Sequence, residues 1–193
     1  LLVSPCEIEA VNHQLERASA HPEQCHCEPH VDAMNPLAPT IHHRTVMGAG
    51  HTPTALVLAS TGGLGLACAR ALAGDELRVA ITGRRRELAV QLASELPGAI
   101  GIGVDIRDPS ALDNAITQVC DEFGRIDCVV LNSGGPPPGR ASDVSSSDLR
   151  NAMDTILYPA QHVIQRVLPD MVDRGWGRII AIGSSGVEQP IAG

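Results

Sequence analysis

Aromatic side chains are nearly absent from this chain: Phe, Tyr and Trp occur once each in 193 residues. Ring stacking therefore cannot carry the core, which must be built from Ala, Val, Leu and Ile. The 44% apolar content is enough for that, and small and β-branched packing suits an α/β sheet. Long apolar runs are also missing, and none approaches the roughly 18 residues of a membrane span. Positive charge is scarce. The formal net charge of −8 argues against a surface built for nucleic acid or anionic membrane. No basic stretch followed by an apolar core opens the chain, so no secretory signal is expected. The six cysteines are scattered. Cys68, Cys120 and Cys128 stand in apolar contexts and are expected to be buried, and a reduced, cytoplasmic thiol set is the simplest reading.

Regular patterning is missing from residues 1 to about 50. Seven of the eight histidines fall by position 51, with three cysteines and several prolines. Only a short helix around Ile8 to Ala18 is expected there. His21, Cys25, His26, Cys27 and His30 are ligand types for a soft metal. Cys25, His26 and Cys27 are too crowded for all three to reach one ion, and no metal site is assigned. The chain begins with Leu1, while Met34 and Met47 lie just ahead of the first regular segment. Much of the leader is therefore expected to be upstream reading frame or a disordered extension, with the folded domain over residues 51–193.

The chain is organised around Ala55 to Arg70. An apolar run, Leu56 to Leu58, enters a turn with glycines at 62, 63 and 65, which opens into an Ala-rich helix. Glycines let the backbone turn sharply and approach a ligand. The free N–H groups of a helix's first turn, with its dipole, favour an anion such as a pyrophosphate. In both position and composition the segment reads as strand, phosphate loop, helix.

The pattern then repeats. Strands are expected over Thr54–Ala59, Leu77–Thr82, Ala99–Val104, Ile126–Asn132 and Arg178–Ile182. Helices are expected over Gly63–Ala73, through Ala89 and Leu92 to Leu96, over Ser110–Phe123 and over Ser146–Asp173. Short apolar strands alternating with helices imply a doubly wound parallel sheet of about five strands, with ligands at the strands' carboxyl ends. On the long helix, Leu149, Met153, Ile156, Ile164 and Leu168 are expected to pack on the sheet and on partner helices.

Each carboxyl end carries unusual residues. Gly83-Arg84-Arg85-Arg86 follows strand two, where a site for the unphosphorylated cofactor would carry an acid. Arginines favour a 2′-phosphate instead, because guanidinium pairs with phosphate in a bidentate way. A solvated cationic helix start is the alternative, although cations there oppose the helix dipole. After strand three, Asp108 before Pro109 reads as a helix cap, leaving Asp105 free to face a ligand. Asn132-Ser133-Gly134-Gly135 and three prolines follow strand four, and Gly183-Ser184-Ser185-Gly186 follows strand five.

Together these motifs resemble the short-chain dehydrogenase/reductase family from about Thr54 onward. The loop Ala59-Ser60-Thr61-Gly62-Gly63-Leu64-Gly65 resembles its TGxxxGxG motif, and Asn132-Ser133-Gly134 its NNAG motif. Asp105-Ile106 resembles the Asp-Val/Ile pair after strand three, and GRIIAIGSS the strand leading to a catalytic serine. NSGGPPPG with RGWGRII is similar to a subgroup of 3-oxoacyl-acyl-carrier-protein-reductase type.

The resemblance implies a Rossmann-type fold and hydride transfer between NADP(H), with NAD second, and a carbonyl or alcohol. It also implies a small-molecule substrate and a homo-oligomer. Ala59, Thr61, Gly62, Gly63, Leu64 and Gly65 would form the pyrophosphate loop. Arg84 would hold the 2′-phosphate, and Asp105, followed by Ile106, the adenine amino group. Asn132, Ser133 and Gly134 would line the ribose and sheet centre, and Ser184 would hydrogen-bond the substrate carbonyl. In the family a tyrosine with a lysine-lowered pKa supplies the proton, through a Tyr-x-x-x-Lys motif.

The chain departs from the pattern in three places. Ala59 replaces the loop's first glycine and is expected to keep a negative φ. Ile156 stands where an active-site asparagine is usual. The Tyr-x-x-x-Lys motif, due about a dozen residues beyond Ser184, is absent. Strand five is then expected to be an open sheet edge, and the chain a fragment of a longer reading frame. The other functional expectation is a non-catalytic dinucleotide-binding module, and a metal-binding leader on such a domain is a third.

Overall fold

The alternation of apolar runs and helical segments resolves, in a computed structural model, into five strands and their connecting helices. Residues 50–136, 140 and 142–184 are described. Outside them lie the leader with its expected helix and His/Cys cluster, most of the proline loop, and the chain from Ser185 onward. The elements are β1 (Thr54–Val57), α1 (Gly63–Gly74), β2 (Arg78–Gly83), α2 (Arg86–Ser94), β3 (Ile100–Gly103) and α3 (Pro109–Phe123). They continue with β4 (Cys128–Leu131), α4 (Ser146–Ala152), a π-helical turn (Met153–Leu157), α5 (Tyr158–Asp173) and β5 (Arg178–Ala181).

All strand pairs are parallel, in the order β3-β2-β1-β4-β5. This is the doubly wound order of a Rossmann-type domain: the chain reverses direction across the sheet between β1 and β4, leaving a crevice at their carboxyl ends. Period-two alternation supplies both faces. Leu56 and Leu58 of the β1 segment, with Ala80, Ile102 and Val129, face α3 and α5. Ala55 and Val57, with Val79, Ile81 and Val130, face α1 and α2.

The shortage of aromatics is met by close approach. Ala69, Ala89 and Ala93 are buried on α1 and α2, and a Cβ at Gly101 would run into the backbone of Ala89 and Val90. The two buried rings are each lidded by a guanidinium, Arg78 over Phe123 at 4.2 Å and Arg178 over Trp176 at 4.5 Å. Cys68 and Cys128 are buried as expected, while Cys120 is only partly so.

Helix α3 has the bounds its sequence signals. Asp108 accepts from Ser110 N at 2.9 Å and Ala111 N at 3.2 Å, Pro109 opens the helix, and Gly124 closes it at φ 86°. Its buried residues Leu112, Ala115, Ile116, Val119 and Phe123 form one helical face.

The long helix differs from expectation in two respects. Its span over 146–173 is as read, but the π turn interrupts it. Its buried face consists of Pro159, Val163, Val167 and Met171; Ile164 packs against the core as expected and Met153 is half-buried, whereas Leu149, Ile156 and Leu168 are exposed. The buried stripe of α5 runs at four-residue spacing, which leaves Leu168 beside it on the outer face, while Leu149 and Ile156 precede the end of the π turn, whose extra residue takes them out of that register. Strand β5 pairs with β4 alone among the described residues and leaves an edge, as expected.

At the sheet's amino end lies a buried carboxylate that no linear motif singles out. Asp127 is 1% exposed and accepts from Thr54 N at 3.0 Å. It also lies 2.7 Å from His51 Nε2 and 2.9 Å from Arg125 Nε. This network joins β1, β4 and the segment entering β1, on the rim away from the glycine loop.

Candidate functional site

The turn after β1 is fixed by hydrogen bonds to β2. Ser60 N donates to the Thr82 carbonyl at 2.7 Å, and Thr82 N donates to Ser60 Oγ at 2.9 Å. Both hydroxyls donate to the Val57 carbonyl, Ser60 Oγ at 2.8 Å and Thr82 Oγ1 at 2.9 Å. Ala59 sits inside this knot: its N–H donates to Thr82 Oγ1 at 3.1 Å and its carbonyl accepts from Asn132 Nδ2 at 3.1 Å. The expectation of a negative φ at Ala59 is overturned, since φ is +47°, in the left-handed region. Two hydrogen bonds, one from each neighbouring strand, hold the residue where a glycine would sit without strain.

Asn132 is the second fixed point. It also donates to the Leu58 carbonyl at 3.2 Å, tying the end of β4 to the end of β1. A Cβ at Gly65 would stand 2.6 Å from Asn132 Nδ2 and 2.8 Å from the Ala59 carbonyl oxygen, so glycine is required there by packing. Gly83 is likewise open for Thr61, whose Cγ2 lies 2.6 Å from where a Cβ would be. Gly62 and Gly134 are different. Neither has a positive φ, and a side chain at either would meet nothing within 4 Å. No side chain caps α1 at Gly62, and no acid occupies its first turn, so its first N–H groups have no side-chain partner at the cap.

These pieces line a cavity of about 560 Å³ at the carboxyl ends of the strands. Ala59, Thr61, Gly62, Gly63, Leu64, Arg84, Asp105, Ile106, Asn132, Ser133 and Gly134 all contribute to it. Of the cofactor positions expected from sequence, Gly65 alone stands behind the wall. Ser184 lies three residues beyond the end of β5 on the same rim, exposed and outside the cavity lining. The arginine run divides: Arg84 and Arg85 line the cavity, while Arg86 begins α2 and packs over Gly103.

Asp105 faces the cavity, as expected once Asp108 caps α3, but it does so already paired. Its Oδ1 accepts from Arg107 N at 3.0 Å and its Oδ2 from Arg107 Nη2 at 3.0 Å. Hydrogen bonding by the Arg107 side chain, reinforced by its backbone N–H, holds the carboxyl below the usual aspartate range. Sequence reading also missed Thr82 and Thr155. Thr82, the last residue before the strand-end glycine, could have been noticed as a side-chain bridge. Thr155 had no linear signal, because the residue usual in that region maps to Ile156. Thr155 lines the cavity from the π turn, and Ile156 does not.

Strand order, crevice and loop define the class, a Rossmann-type doubly wound α/β domain. The family profile described as short chain dehydrogenase matches residues 53–193, and the chain belongs to that family. Over 143 residues it is 32% identical to sulfoacetaldehyde reductase 2 of Chromohalobacter salexigens, covering 72% of this chain and 57% of that protein. It is 33% identical over 142 residues to the NADP-dependent 3-hydroxy acid dehydrogenase YdfG of Escherichia coli, covering 72% and 56%. Among solved structures, an actinorhodin polyketide ketoreductase with NADPH superimposes with a TM-score of 0.68 at 30% identity, covering 73% of this chain and 56% of that one. The chain thus spans little more than half the length of these relatives. Among the described residues no helix is long and apolar enough to cross a membrane.

Proposed function

We propose that this chain forms the dinucleotide-binding part of an oxidoreductase that transfers hydride between NADP(H) and a small carbonyl or alcohol, of 3-oxoacyl type. The observation that carries the reading is the single cavity collecting the glycine loop, Arg84, Asp105 and Asn132 to Gly134. Gly62 and Gly134 support it physically. Neither is needed by the chain's own packing or torsion, and absent side chains at both positions leave room for a ligand against the backbone. The uncapped N-terminus of α1 suits a pyrophosphate, and Arg84 and Arg85 suit a 2′-phosphate.

In this reading the first-turn N–H groups of α1 hold the diphosphate. Asn132 keeps the loop at its distance from β4, and Gly134 admits the ribose. Asp105, kept charged by Arg107, accepts from the adenine amino group with its remaining lone pair. Ser184 orients the substrate carbonyl. The nicotinamide, when bound, supplies or accepts the hydride. The names of the Escherichia coli relative and of the ketoreductase structure, with its NADPH, support the phosphorylated cofactor.

A second reading is a non-catalytic binding module, to which the place of the chain's tyrosine is relevant. All fourteen basic residues of the sequence are arginine, and the one tyrosine, Tyr158, is 54% exposed and lines a neighbouring cavity. Turnover of a carbonyl substrate separates the two readings. Homo-oligomerisation and a cytoplasmic location belong to the same proposal, and sedimentation tests the first.

Titration of NADPH and NADH, followed by fluorescence of the bound nicotinamide, tests the cofactor assignment. NADPH is expected to bind about tenfold or more tighter, and Arg84→Ala to remove most of that preference. A preference for NADH refutes the role of Arg84, and binding of neither refutes the dinucleotide site.

A further inference from the structure

The π turn places at the crevice a residue that the linear motif does not indicate. Tyr158 N donates to the Met153 carbonyl five residues back, closing a turn one residue wider than an α turn. Within it, Asp154 lines the neighbouring cavity, Thr155 lines the crevice beside Gly62, Asn132 and Gly134, and Ile156 lines neither and is 39% exposed. The Thr155 hydroxyl donates its one proton to the Asn151 carbonyl at 2.8 Å. Its oxygen therefore keeps lone pairs for a donor from the cavity side.

We propose that Thr155 is a cofactor-contacting residue, its Oγ1 accepting a hydrogen bond from a ribose hydroxyl or carboxamide N–H of a nicotinamide dinucleotide. The assignment rests on the dinucleotide reading above. It gives the long helix a polar contact at 155 in place of the usual residue at 156. Because the hydroxyl proton is already committed to Asn151, the residue selects ligand donors over ligand acceptors.

Equilibrium NADPH titration of the whole chain and three variants tests it. Thr155→Val keeps shape and removes the acceptor, and is expected to weaken NADPH by about five- to tenfold. Thr155→Ser keeps the acceptor and is expected to bind within about twofold of the parent, as is Ile156→Val. Unchanged binding in Thr155→Val, or a larger loss in Ile156→Val, overturns the proposal while parental binding leaves the dinucleotide reading standing. If the parent binds neither NADPH nor NADH, both readings fall.

Should Thr155→Val not fold, alkylation of Thr155→Cys and Ile156→Cys, mapped by peptide mass, decides instead. NADPH is expected to slow labelling at position 155 and not at 156, and equal protection overturns the proposal.

Discussion

Replacing Ala59 with glycine is expected to stabilise the domain, against the usual cost of introducing glycine. At φ +47° the alanine methyl crowds the following carbonyl, a conformation that costs an L-residue about 1–2 kcal/mol. Glycine removes that cost but gives the unfolded chain more freedom, worth about 0.4–1 kcal/mol in the opposite direction. The net gain is about 0.5–1 kcal/mol, because the bonds from Ala59 N to Thr82 and from Asn132 to the Ala59 carbonyl are backbone contacts that glycine retains.

Urea unfolding followed by Trp176 emission provides the assay, since the one tryptophan is 8% exposed when folded. With a slope of about 2 kcal/mol/M the midpoint should rise by roughly 0.3–0.5 M. Ala59→Val should move it the other way by more than the glycine gain, since a β-branched residue tolerates positive φ least. The expected order is Gly above Ala above Val. A midpoint that falls in Ala59→Gly refutes the left-handed assignment and restores the negative φ that the sequence suggested.

Four further outcomes are expected. Gly62→Val should leave the urea midpoint within about 0.3 M of the parent while abolishing NADPH binding, because a Cβ there meets nothing within 4 Å and the residue lines the crevice. Binding retained in that variant would place the ligand elsewhere. Asp127→Ala should cost about 3–5 kcal/mol, read as loss of a cooperative transition, since His51, Arg125 and Thr54 lose a buried partner at the rim away from the site. Cys128, pushed up to about 12 by burial, should resist iodoacetamide at pH 8 in the folded protein and react once urea unfolds it. Raising the pH from 9 toward 12 should then lower stability, because the unfolded thiol loses its proton first.

The sequence determined the sheet and the class of site on its own. The short apolar runs of β1 and β4, the Asp108-Pro109 cap, Gly124 at the end of α3 and the glycines at 62 to 65 act through neighbours a few residues apart. Their consequences can be read from spacing. Even the sparse aromatics pointed correctly to a core of small residues, realised where Ala89 meets Gly101.

Tertiary structure decided what depends on contacts across strands or on the winding of a helix. Ala59 is held left-handed by Thr82 and Asn132, which lie 23 and 73 residues away. Asp127 became a buried anchor because three segments converge on it. Asp105 is occupied by a neighbour only two residues on, but only because the folded loop brings Arg107 back onto it. Thr155 rather than Ile156 reached the crevice because one extra residue in a turn shifts every later side chain, and no residue type in Met153 to Leu157 announces that winding.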